Sequence, residues 1–292
     1  MVKLGILSKT FARPNLSGTL DAVLEHGITH VQLDLVSASL ATIPSTLTDA
    51  QCDGIRQEFD RRGLINAVLS AVFNIIHPDP EIRRRGFEGF TLLARSARRL
   101  GTETLSISTG TRDRENMWRK HPENDGDDAW REMLGAMSRI AAIAEEHQVT
   151  IAFEPEQANI VDSARKARTL IDTLQSKRIE VLIDPANLLN LSNIRQQDRV
   201  LKEAFDLLAG DIAMAHAKEF SEDGQLGNLA LGRGVVNFPL FVSLLRSSGY
   251  RNALIMHGFP EQAVSESASY LTQVIQAAVL GGDGDGHCPQ TR

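Results

Sequence analysis

Four residues stand out because each closes an apolar run with a group that binds cations or moves protons. Glu154 ends VTIAFE, Asp184 ends IEVLID, His216 follows DIAMA and His257 follows NALIM. An apolar run buries the stem of its last side chain. An ionised head there must find a cation or a hydrogen-bond donor, because an unpaired buried charge is costly. The structural solution is pairing with Lys218, Arg112 or backbone amides. The chemical solution is joint coordination of a divalent metal. Two carboxylates and two imidazoles suit Mn2+ or Zn2+ first, with Co2+, Fe2+ and Mg2+ also acceptable. Coordination is preferred because the four positions close four consecutive runs of the same kind.

Something must hold those runs side by side, and the chain supplies a repeating frame. Short apolar or β-branched runs predict strands at 3–8, 29–35, 65–73, 103–109, 149–154, 179–184, 211–217 and 252–257. Amphipathic stretches between them predict helices at 17–26, 47–61, 81–99, 128–147, 162–174, 197–208, 238–248 and 264–279. Gly27, Gly63, Gly101 and Gly249 each follow a helix end, while Asp162-Ser163 and Asn237 before Pro239 read as helix starts. Eight such units predict a parallel sheet closed into a (β/α)8 TIM barrel, a single α/β domain over residues 1–280. An open doubly wound sheet would announce a nucleotide with a glycine-rich first turn. That turn reads SKTFARPN.

Chemistry in such barrels sits at the C-terminal ends of the strands. Of the eight histidines, His77, His121, His216 and His257 fall at or just after strand ends. His26, His30 and His147 fall at the opposite, stability face, and His287 lies in the tail. The connection 110–127 is longer than the roughly 12–15 residues beyond which a loop is usually functional or disordered. It carries Trp118 and His121, costly residues for a floppy segment, and is expected to fold over the site as a lid. The stretch 219–234 is a second rim element whose glycines let backbone approach a ligand.

The bulk composition excludes several classes. A 292-residue chain, 42% hydrophobic, has enough apolar residue for one large core. Its net charge of −6 argues against a nucleic-acid partner, and the run Arg83-Arg84-Arg85 reads as a solvated helix face. The start, MVKLGILSKTF, is too polar for a signal peptide. No stretch nears the ~18 apolar residues of a membrane span. Two distant cysteines, Cys52 and Cys288, form no framework, so a reducing cytoplasm is expected. The end, GGDGDGHCPQTR, predicts a disordered tail at 281–292.

The chain resembles the xylose-isomerase-like superfamily of sugar isomerases and epimerases. The resemblance runs over about residues 3–279 and is carried by NIIHPD, STGTRD, FEPE, IDPAN, HAKE and GRGVVNFP. It implies one metal on Glu154, Asp184 and His216, with the fourth ligand after strand eight. That position is usually glutamate, and here His257 occupies it. Epimerases and many isomerases use that glutamate as one of two acid/base carboxylates, so their mechanism does not transfer intact. Asn187 stands where many relatives place a histidine, which counts against the superfamily's trinuclear zinc nucleases. Relatives often pair, so the resemblance leaves a homodimer open.

The activity implied is isomerisation or epimerisation of a small sugar or polyhydroxy carbonyl compound, by proton abstraction and an enediolate. Glu154 is the candidate base and His257 or Glu156 the partner acid. Asn74, His77 and Lys218 would hold substrate oxygens, Asn187 a hydroxyl, and Arg112 a carboxylate or phosphate. Trp118 and His121 would cover the substrate from the lid. A sugar or keto-inositol dehydratase shares the first step. A non-catalytic sugar-binding barrel is the reading from a different class.

Overall fold

Strands and helices alternate eight times in the computed structural model, which describes residues 2–280. The strands are β1 (Lys3–Leu7), β2 (His30–Leu33), β3 (Ile65–Ser70), β4 (Thr104–Ser108), β5 (Thr150–Glu154), β6 (Ile179–Ile183), β7 (Ile212–Ala217) and β8 (Ala253–Met256). The helices are α1 (Leu16–Glu25), α2 (Asp49–Arg62), α3 (Pro80–Ser96), α4 (Asp127–His147), α5 (Ala164–Leu174), α6 (Gln197–Leu208), α7 (Phe238–Ser247) and α8 (Val264–Leu280). Each strand pairs in parallel with the next. Lys3 of β1 then meets Ala253 of β8, so the sheet closes in chain order into a (β/α)8 barrel. The tail expected at 281–292, with His287 and Cys288, lies outside the described residues.

Local chemistry explains where the helices begin and end. Asn237 caps α7 by accepting from the Leu240 amide at 3.1 Å, with Pro239 in the first turn. Ser163 caps α5, and Thr48 with Gln51 forms a reciprocal capping box on α2. Gly63 closes α2 at φ 63, a left-handed turn that a side chain would strain. Every strand is shorter than its apolar run suggests, β2 and β3 by three residues each. β3 leaves the ladder after Ala71, whose amide still reaches Ser106, and β8 stops at Met256.

Because parallel strands are covered on both faces, they read as nearly continuous apolar runs. One face packs on the helices, through Ile6, Leu33, Leu105, Phe153 and Ile183 among others. The other fills the lumen, where Leu7, Val68, Ala152, Leu182, Met214 and Ile255 form a separate cluster. The run Arg83-Arg84-Arg85 lies on α3 and is neutralised by acids. Arg83 pairs with Glu132, Arg84 with Glu81 and Glu88, and Arg85 with Glu81. Among the described residues, no helix is long and apolar enough to cross a membrane.

Candidate metal centre

Side chains two apart on a strand point the same way. Ala152, Leu182, Met214 and Ile255 fill the lumen. Two residues further along β5, β6, β7 and β8 therefore stand Glu154, Asp184, His216 and His257, aimed into the mouth of the barrel. One donor atom from each lies within 4.8 Å of all the others. Nδ1 of His216 is 3.5 Å from Oε1 of Glu154, and Nε2 of His257 is 3.2 Å from Oδ2 of Asp184. The two imidazole rings are 4.3 Å apart, centre to centre.

The donor set fits a divalent metal on the structure's own terms. Nε2 of His216 stands 2.7 Å from the amide oxygen of Gln32, so it must carry the hydrogen. The orientation of that amide is fixed in turn, because its nitrogen donates to Ser70 at 2.9 Å and Ser106 at 3.2 Å. Nδ1 of His216 is left buried without a hydrogen-bond partner, facing the carboxylate of Glu154. A buried lone pair among two carboxylates and a second imidazole is what a metal ligand requires. The four residues could hold Zn2+ or Mn2+. Gln32 escapes the reading of the sequence; a lone amide in the apolar run of β2 was the available signal.

The surrounding charges are tightly arranged. Lys218 donates to the Asn187 amide oxygen at 2.7 Å and lies 3.5 Å from Asp184. The same Asn187 amide donates to Glu154 at 2.7 Å. Burial opposes the ionisation of Asp184, but Lys218 and His257 override it and hold its carboxyl at about 2. Glu154 is likewise held below the ordinary carboxylate range against burial, by His216 and Lys218. Burial lowers His257 to about 4, with the charge of His216 acting in the same direction. Glu156 behaves oppositely: burial and the adjacent Glu154 charge push it up to about 8. One of its carboxyl oxygens is buried without a partner.

A cavity of about 400 Å³ opens above these groups, lined by Glu154, Glu156, His216, Lys218, His257 and Trp118 among others. The remaining sequence candidates sit elsewhere. Asn74 spends its amide on the main chain of residue 111, donating to the carbonyl at 2.8 Å and accepting from the N–H at 3.0 Å. His77 uses both ring nitrogens on backbone, at Arg114 and Asp79. Arg112 is paired with Asp128 and Glu132 of α4. His121 accepts the Glu123 amide and lines a different cavity, shared with Arg112. These four stabilise the rim of the barrel and do not reach the quartet's cavity, because a strand-end position fixes a residue's height and leaves its direction open.

Both rim loops are built. In 110–127, Asp113 accepts the amides of Glu115 and Asn116 at 2.9 Å and pairs with Arg119 at 2.5 Å. In 219–234, the fully buried Glu219 accepts the amides of Gly232 at 2.8 Å and Val236 at 3.0 Å.

A sequence search of curated proteins finds no match. Solved structures superpose over nearly the whole chain. An L-ribulose 3-epimerase is 18% identical with a TM-score of 0.75, covering 99% of this chain and 100% of its own. The 3-keto-D-glucoside 4-epimerase of E. coli is 16% identical with a TM-score of 0.72, covering 94% and 100%. An IOLI protein solved with a zinc atom is 16% identical with a TM-score of 0.67, covering 96% and 97%. At such identities the likeness shows the fold alone. The sequence model described as xylose isomerase-like TIM barrel matches residues 20–274, nearly the whole barrel, and the chain belongs to that family.

Proposed function

We propose that the chain is a divalent-metal-dependent isomerase or epimerase of a small polyhydroxy carbonyl compound, with Zn2+ or Mn2+ as its metal. The observation that carries this reading is the quartet Glu154, Asp184, His216 and His257, with donor atoms mutually within 4.8 Å, three of the four residues lining one cavity. Two structural neighbours bear the names of sugar epimerases and a third holds zinc, which supports the same reading.

When bound, a divalent ion polarises a carbonyl oxygen and acidifies the neighbouring C–H. The protein's own groups divide the proton traffic. Glu154 is held ionised and serves as the base that takes the proton from carbon. Glu156, pushed up to about 8 in the metal-free protein by burial and the Glu154 charge, is the candidate acid. His257, lowered to about 4, is neutral and free to be a ligand, which favours Glu156 over it as the proton donor. The Lys218 ammonium lines the cavity and stabilises negative charge on a substrate oxygen.

The same protonated Glu156 could expel a β-hydroxyl as water, which is the dehydratase reading. One experiment addresses both. Ketoses, inososes and sugar acids are incubated in D2O with the Mn2+ or Zn2+ protein. Deuterium should enter the carbon beside the carbonyl, with an epimer or isomer as product; an unsaturated product would mark the dehydratase. Binding without exchange or product across the panel would leave a non-catalytic sugar-binding barrel.

A further inference from the structure

The cavity over the quartet is not the whole of the cleft. A second chamber of about 770 Å³ opens beside it. Trp118, Glu156, Lys218 and His257 wall both chambers, as do Leu7 and Lys9, so the two are continuous. The inner chamber, at about 400 Å³, already falls within the range of about 300–1,000 Å³ that encloses a whole drug-sized ligand. A monosaccharide reacting at the quartet has no need of the outer one.

The outer chamber has a chemistry of its own. The residues it does not share with the inner chamber are Thr10, Leu226, Asn228, Phe259 and Pro260, over the backbone of Gly227 and Gly258. None of these is charged. They offer apolar surface with one hydroxyl and one amide, while the charged groups Lys9, Glu156 and Lys218 stand on the border shared with the inner chamber; the far side thus suits a neutral amphipathic group. The floor is tight: a Cβ on Gly227 would stand 2.6 Å from the Gly258 carbonyl.

Trp118 marks the boundary between the chambers. It is 52% exposed, unusual for the largest side chain of the set. Its exposure does not come from a loose loop. Asn116 accepts the Trp118 amide at 2.9 Å, Asn116 and Arg119 are both tied to the buried Asp113, and Thr111 donates to the Arg119 carbonyl at 3.1 Å. The backbone on both sides of the indole is thus fixed. A flat aromatic face held open at the boundary of the two chambers is a platform for another flat, partly apolar ring.

We propose that the substrate carries a neutral second unit beyond the reacting sugar, a glycosidically linked ring or aglycone, which lies in the outer chamber against Trp118. This rests on the reading that the reacting sugar occupies the inner chamber.

The test is calorimetric titration of the Zn2+- or Mn2+-loaded full chain. The probes are phenyl glucoside, phenyl galactoside, cellobiose, maltose and lactose, against free glucose, free galactose and glucose 6-phosphate. At least one neutral glycoside should bind ten-fold or more tightly than its parent sugar. Trp118→Ala should reduce that advantage to less than three-fold, and Trp118→Phe, which keeps an aromatic face, should retain most of it. The proposal is overturned if no glycoside outbinds its parent, if the advantage survives Trp118→Ala, or if only the phosphate ester gains. The two readings fail separately. A glycoside advantage without any metal-dependent C–H exchange counts against the catalytic reading alone. Exchange on a free sugar with no glycoside advantage counts against the second unit alone.

Discussion

Gln32 on β2 reaches across the lumen to His216 on β7, its amide oxygen 2.7 Å from Nε2 of the imidazole. The contact fixes which ring nitrogen carries the hydrogen and leaves Nδ1 for a metal. Groups that orient a ligand in this way typically contribute 10–100-fold in metal affinity. Gln32→Leu should therefore weaken Zn2+ or Mn2+ binding by about that factor, measured by chelator competition. Unchanged affinity in a folded Gln32→Leu protein would show that His216 orients itself without help.

The two glutamates of FEPE should separate by metal dependence. Glu154→Gln should remove turnover and lower metal affinity, because Glu154 ends β5 within the quartet. Glu156→Gln should keep the metal and lose most turnover, since an amide cannot deliver the proton. General acid–base catalysis typically contributes about 10²–10⁴-fold, which sets the scale of the loss. If Glu156→Gln loses the metal while Glu154→Gln keeps it, the assignment of the two is reversed.

Glu156 and His257 should give the metal-free protein a characteristic pH profile of stability. Glu156 is raised from 4.5 to about 8, so above pH 4.5 the unfolded chain gives up a proton that the folded one retains. Its contribution is full below 4.5 and is lost as pH rises to 8. His257 is lowered from 6.5 to about 4, so its contribution is full above 6.5 and is lost as pH falls to 4. The two trends offset one another between 4.5 and 6.5, and Glu156 acts alone from 6.5 to 8. Over that alkaline span the protein should lose roughly 2 kcal/mol in denaturant melts with chelator present. Glu156→Gln should flatten the alkaline limb. An identical limb in the variant would assign it to another group.

Glu219 is expected to matter for stability. Its carboxylate accepts the amides of Phe220, Gly232 and Val236. Glu219→Ala strands the last two donors, each at a cost of about 1–3 kcal/mol. The midpoint of thermal unfolding should fall, and limited proteolysis should cut between 221 and 231. An unaltered midpoint would mean that water replaces the carboxylate at no cost.

Much of this architecture is legible in the residues. Alternating apolar runs and amphipathic stretches lead directly to the eight-fold frame, and Ser163 and Asn237 mark helix starts as their chemistry demands. The quartet is visible because each member ends a run of the same kind, and the structure brings all four together. Asn74, His77, Arg112 and His121 pass the same positional filter, yet Asn74 and His77 bond to the backbone of the rim, Arg112 pairs with acids of α4, and His121 accepts the Glu123 amide. Gln32 is the converse case. It lies mid-strand, where the sequence suggests core, and only the closure of the barrel reveals what it faces.

That closure has a consequence for the order in which the protein assembles. All four candidate ligands lie in the second half of the chain, and the last of them follows β8, the strand that seals the ring against β1. A nascent chain presents Glu154, then Asp184, then His216, and gains His257 only when nearly the whole barrel has emerged. Four-point capture of an ion must therefore follow the pairing of β8 with β7, which sets His257 beside His216. Tight metal uptake by a refolding population would report, in real time, how many chains have joined their last strand to the sheet.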